Sequence, residues 1–204
     1  MLGNIAPPQL MAAWEDDDTA DKEICENIQM QAQKVIWQHL IWYPLHIPKH
    51  SLIAWMTILN RLPTRDRLQK MGISTDGLCI NCNSHQETRD HLFSNCSLAA
   101  GIWKSIIIMN GMNFSALTWD EMVARACSSW KGKSLLTTIL KISWNDFIYF
   151  LWQERNHRLF QGRYRSVDVI LKDIVDVVAI RLRGKTINRL DNTNFFLCKA
   201  RGIV

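Results

Sequence analysis

No stretch of this sequence is both long and apolar. Its most apolar run, FIYFLW at 147–152, falls far short of the about 20 residues a helix needs to cross a bilayer. No basic segment followed by an apolar run and a small-residue cleavage site opens the chain, so secretion is not expected. Glycine-rich phosphate loops and exposed-nucleophile motifs are missing, as is any internal repeat on the scale of about 20–50 residues. What remains is an intracellular protein, in nucleus or cytoplasm and with no membrane partner, whose six cysteines should stay reduced unless a metal holds them.

What is present is bulk and charge asymmetry. With 204 residues, 48% of them hydrophobic, the chain can build one domain with a real core, or a domain plus an appendage, without a metal to reach foldable size. Nine tryptophans, the largest side chain, should mostly lie in interior contacts. Residues 1–40 hold seven acids against Lys22 and Lys34, whereas the remainder holds 22 bases against 12 acids. A basic body of this kind suits a polyanionic partner.

The first thirty residues, with a Pro-Pro pair and the run WEDDDTADKE, suit a flexible acidic arm. From about Ile28 the pattern turns helical, with Val35, Ile36, His39 and Leu40 on one face, until IWYPLHIP interrupts. Pro48 precedes a second helical stretch, and Thr64 can cap a short third one that Gly72 stops. Ser97 reads as the N-cap of a helix ending at Gly111, and a further short helix follows from Trp119 to Trp130. Residues 134–160 contain no Gly or Pro and carry apolar residues on two adjoining stripes, which predicts a largely buried central helix closed by Gly162. A last helix is expected over 166–183, stopped by Gly184. The chain is therefore read as mainly α.

The chemistry lies in Cys79, Cys82, His91 and Cys96, spaced C-x2-C-x8-H-x4-C. Zinc takes four soft or borderline ligands tetrahedrally, and a C-x2-C turn offers two of them from one tight knuckle. Residues five apart lie about 140° apart around an α-helix, so His91 and Cys96 cannot share one uninterrupted helical face. The helix carrying His91 must end near Ser94 or Asn95, and Cys96 must reach the metal from the turn that follows. Four protein ligands leave no open position for water, which argues for one structural Zn²⁺ and against zinc catalysis. His85 is a rival ligand, because C-x2-C-x2-H also fits a knuckle. Cys25, Cys127 and Cys198 stand alone and read as ordinary core thiols. Glu154 and His157, one helical turn apart, read as a surface pair.

The words IPKHSLIAWMTILNRLPTRDRLQKMGI, CINC and ETRDHLFSNCSLAAGIW resemble the reverse transcriptase zinc-binding domain of plant non-LTR (LINE-type) retrotransposons, over about residues 36–104. WQERNHRLFQG is similar to the segment that commonly follows. The resemblance implies a helical domain with a small zinc-held loop, the four Cys/His residues as ligands, and a role gripping RNA or DNA beside a polymerase. It divides the chain into an acidic arm (1–30), the zinc-binding domain (31–112), a helical C-terminal extension (113–184) and a basic tail (185–204).

Polymerase activity is not implied: Asp16 to Asp18 sit in a polar arm rather than between apolar strands, and no spaced acidic set of an RNase H module follows. The chain reads as a detached fragment and not as an enzyme, with a separate reverse transcriptase chain as one candidate partner. RNA or single-stranded DNA is the other expected partner, through Lys49, Arg61, Arg65, Arg67, Lys70, Arg89, Arg155 and Arg158, with Arg163 and Arg165 beyond them. The alternative is a structural or protein-interaction zinc module, with Trp14, Trp37 and Trp42 forming a partner-facing patch.

Overall fold

The computed structural model describes residues 35–73, 76–183 and 192–199. The chain divides into two units, Met1–Gln38 and His39–Val204, and the site belongs to the second. The expected acidic arm, with Trp14 and Cys25, lies outside the described residues, as does Gly184.

The architecture is helical. In chain order come α1 (Gln38–Ile41), α2 (Pro48–Ile58), α3 (Arg65–Lys70), a single π-turn (His91–Asn95), α4 (Ser97–Met109), α5 (Trp119–Ser129), α6 (Leu135–Gln161), α7 (Val167–Leu182) and α8 (Asn192–Lys199). Among the described residues, extended pairing amounts to one antiparallel bridge, Leu78 with Gln86. No helix among them is long and apolar enough to cross a membrane.

Helix α6 is the axis of the packing. Its start is fixed by the Ser134 hydroxyl, which accepts the Thr137 N–H at 3.1 Å, and its end by Gly162 at φ 61°, a left-handed conformation that favours glycine. Between them the 27-residue helix packs against α2, α4, α7 and α8, which is why it carries apolar residues on more than one stripe. Helices from both sides of position 112 thus share one core. Trp103 and Phe147 rings stand 5.3 Å apart, Trp119 and Trp130 flank Trp144, and Phe93 lies against Trp119. Trp152 is buried as well, whereas Trp42 and Trp55 are exposed and Trp37 is half-buried. Cys127 and Cys198 are buried. The stretch read as a basic tail contains α8, whose Leu197 and Cys198 are interior.

Helix α2 turns a face of small and polar residues inward. His50, Ser51, Ala54 and Thr57 are buried, while Leu52, Trp55 and Leu59 are exposed. Its inner side chains are small or polar and satisfied: the Ser51 hydroxyl donates to the Ile41 carbonyl at 2.9 Å, and His50 Nδ1 meets Asp146 Oδ1 of α6 at 2.5 Å while its ring stacks on Tyr149. Small side chains allow two helices to approach closely.

Two expected caps differ in detail. Thr64 holds the N-cap position of α3, but its hydroxyl donates to Asp66, and the first helical N–H, that of Arg65, goes to the Glu87 carboxylate at 3.0 Å. The N-cap of α4 is Cys96, with Ser97 already helical.

Candidate metal centre

The loop that carries the first two cysteines is built from backbone hydrogen bonds. Cys79 N donates to the His85 carbonyl and Asn83 N to the Cys79 carbonyl, both at 2.7 Å. Asn83 closes the turn at φ 54°, a conformation that asparagine tolerates better than most residues. The Cys79 sulfur accepts the N–H groups of Asn81 and Cys82, two and three residues on, and these two bonds favour its anion.

The second pair comes from the π-turn. Thr88 Oγ1 accepts His91 N at 3.0 Å, and Cys96 N donates to the His91 carbonyl at 2.7 Å, the i→i+5 bond that defines a π-turn. That wider turn brings residues five apart to neighbouring positions, which an α-helix would not. The chain then leaves extended at Cys96 (φ −65°, ψ 136°). The sequence spacing required a break before Cys96; the break takes this form. The Cys96 sulfur also receives the N–H groups of Leu98 and Ala99 in the first turn of α4, an arrangement that favours its anion.

The four ligand atoms of Cys79, Cys82, His91 and Cys96 lie within 4.8 Å of one another. Cys79 and Cys96 sulfurs are 3.9 Å apart, and Cys82 Sγ is 3.2 Å from His91 Nε2. A tetrahedral site with metal–sulfur bonds of about 2.3 Å puts its sulfurs about 3.8 Å apart, a separation that the Cys79–Cys96 pair matches. The Cys96 contact, then burial, pushes the Cys79 thiol well up, while the same contact holds Cys96 below the ordinary thiol range. Burial lowers His91, which keeps its imidazole neutral with a lone pair to donate. His85 is exposed and stays outside the cluster; its ring stacks on that of His91 at 5.1 Å.

The cations expected to face a polyanion are distributed very differently. Arg155 is buried, with Nε and Nη2 donating to Glu87 Oε1 at 3.0 and 2.8 Å. Its guanidinium is enclosed with its counter-ion, away from the surface on which phosphate contact was expected. Arg158 bonds to Glu154 and to the Asn81 carbonyl, at 2.7 and 2.9 Å. Arg65 is tied to Asp76 and the Leu78 carbonyl, and Arg67 to the Asn60 carbonyl. Arg89 reaches Asp90, the Ile58 carbonyl and Asp120, lying over the Trp119 ring. Arg165 pairs with Glu154 and Asp173. Lys49, Arg61 and Lys70 are exposed, Lys49 lying over the Tyr149 ring and Lys70 reaching Asp66 at 3.4 Å. Arg163 is exposed too.

Glu154, read as half of a surface pair with His157, is fully buried. Burial raises its carboxyl, but bonds from Arg165 and Arg158 outweigh that and hold it below the usual range. The residue that sequence reasoning missed is Glu87. It is fully buried and accepts from Arg65 N, Ile80 N, Arg155 Nε and Arg155 Nη2. Among the polar residues NSHQETRDH it carries no signal that would separate it from a solvated acid.

Residues 22–103 match the family described as zinc-binding in reverse transcriptase. That span contains all four clustered side chains. No curated protein and no solved structure matches the chain.

Proposed function

We propose that Cys79, Cys82, His91 and Cys96 hold one Zn²⁺ in a closed four-ligand site, and that the chain is a zinc-stabilised binding module of retrotransposon origin rather than an enzyme. The observation that carries the reading is the approach of three sulfurs and one imidazole nitrogen to within 4.8 Å of one another. Bound there, zinc would supply a cross-link between the C-x2-C loop and the start of α4; a fully protein-ligated zinc has no site for a reactive water. The non-LTR, plant-type origin rests on the motifs PKH, LPTRDRL and DHLFSNC.

The partner we favour is RNA or single-stranded DNA, with a reverse transcriptase chain as the protein alternative. Support for the nucleic acid comes from the cations that stay exposed, Lys49, Arg61 and Arg163, with exposed Phe160 and Tyr164 beside the last of these able to stack on unpaired bases. Support for a protein partner comes from Leu52 and Trp55 on α2 and Leu59 at its end, all apolar and exposed. A salt titration of binding to fluorescent uridine RNA and thymidine DNA oligomers decides between them. Affinity that falls steeply with salt, and falls again in Arg163→Ala and Tyr164→Ala, is expected for phosphate and base contacts. No binding at low salt overturns the nucleic-acid reading.

A further inference from the structure

The C-x2-C loop is held from the helical body as well as by its own turns. Glu87 Oε2 accepts the Ile80 N–H at 3.4 Å, and Arg158 Nη1 donates to the Asn81 carbonyl at 2.9 Å. Ile80 and Asn81 are the two residues between Cys79 and Cys82, so each has a backbone atom fixed by a charged side chain. Glu87 is in turn gripped by Arg155 of α6 through two hydrogen bonds, with both side chains buried. Arg155 Nη2 also reaches the Pro63 carbonyl, and Glu87 Oε1 takes the first N–H of α3. Arg158 lies one turn further along α6 and is itself held by Glu154. The peptide groups of the metal loop are therefore referenced to one face of α6, some seventy residues away in sequence.

We infer that Glu87, Arg155 and Arg158 are positioning residues of the metal centre: α6 sets the geometry of the C-x2-C loop through them, and so sets its metal affinity. This rests on the zinc reading of the Cys/His cluster. Groups outside the ligand set that orient ligands typically change metal affinity about 10–100-fold when removed. Here the effect acts on the peptide planes on which the Cys79 and Cys82 thiolates stand, and on the Asn81 N–H that the Cys79 sulfur accepts.

The test measures zinc affinity by competition with a chromophoric chelator, on the full chain, for wild type, Glu87→Gln, Arg158→Lys and Ile174→Ala. Glu87→Gln keeps the side-chain shape, and Arg158→Lys changes a partly exposed residue, so both should fold when zinc is present. Ile174→Ala opens a cavity in α7, which is destabilising but outside the network. The inference expects Glu87→Gln and Arg158→Lys to lose about tenfold or more in affinity, with altered thiolate-to-metal bands in the Co²⁺-substituted forms. Ile174→Ala should lower the melting temperature and leave affinity unchanged. Unchanged affinity in both network variants overturns it, as does an equal loss in Ile174→Ala, which would make the effect general stability. A wild-type chain that binds no zinc would instead remove the zinc reading itself, a separate result read in the same titration.

Discussion

Arg155 and Lys49 carry the same formal charge and meet opposite fates. Arg155 is enclosed against Glu87, while the Lys49 ammonium lies over the Tyr149 ring on an exposed residue. Truncating one partner of a buried ion pair leaves the other charge uncompensated, so Arg155→Ala should cost about 3–5 kcal/mol in urea denaturation. Lys49→Ala should stay within about 0.5 kcal/mol; equal effects would contradict the assignment. The ligand set makes a second prediction: His91→Ala and Cys96→Ser should abolish stoichiometric zinc, while His85→Ala keeps one equivalent by elemental analysis. The clustering of Cys79, Cys82, His91 and Cys96 was legible in the sequence because a metal site would constrain residue type and spacing together. The fates of the arginines were not. Whether a cation is interior depends on which acid meets it, and Glu87 lies 68 positions from Arg155.

At the scale of elements, stops and starts were the most readable features. Gly162 ends α6 as its position suggested, and a Cβ there would meet nothing within 4 Å, so the cost of Gly162→Ala is conformational. About 1 kcal/mol or more is expected, read as a lower melting temperature. The break before Cys96 followed from the angular period of a helix, but its π form did not, because the i→i+5 bond from Cys96 N to the His91 carbonyl is only one of several ways a helix can end. The inward face of α2 was illegible for a related reason. Hydrophobicity points to Leu52 and Trp55, whereas close approach to α6 selects Ser51 and Ala54, with His50 satisfied by Asp146. Burial raises the Asp146 carboxyl, against the opposing pull of His50 and Arg181. A raised acid contributes stability that is full below its ordinary value of 3.8 and is lost as pH climbs through its folded value. The Asp146→Asn chain, measured by urea midpoints from acid to neutral pH, should therefore gain relative to wild type as pH rises. A difference that stays constant with pH would contradict this.

At the scale of the whole molecule, the metal loop and the long helix form one construction. The Cys/His cluster brings the C-x2-C loop to the start of α4, the Glu87–Arg155 pair ties the same loop to α6, and α6 carries α2, α7 and α8. The mainly helical class was readable from apolar periodicity. That α6 would serve as the frame of the metal loop was not, since it rests on contacts between segments far apart in the chain. Removing zinc with a chelator should lower the melting temperature of the whole helical signal rather than release a local loop, as followed by far-ultraviolet circular dichroism. The central claim is the closed site itself, and X-ray absorption at the zinc edge of the purified chain tests it most directly. A closed Cys3His site gives three sulfur scatterers at about 2.3 Å and one nitrogen at about 2.0–2.1 Å. A first shell with an oxygen in place of a sulfur, or with two imidazoles, would contradict it.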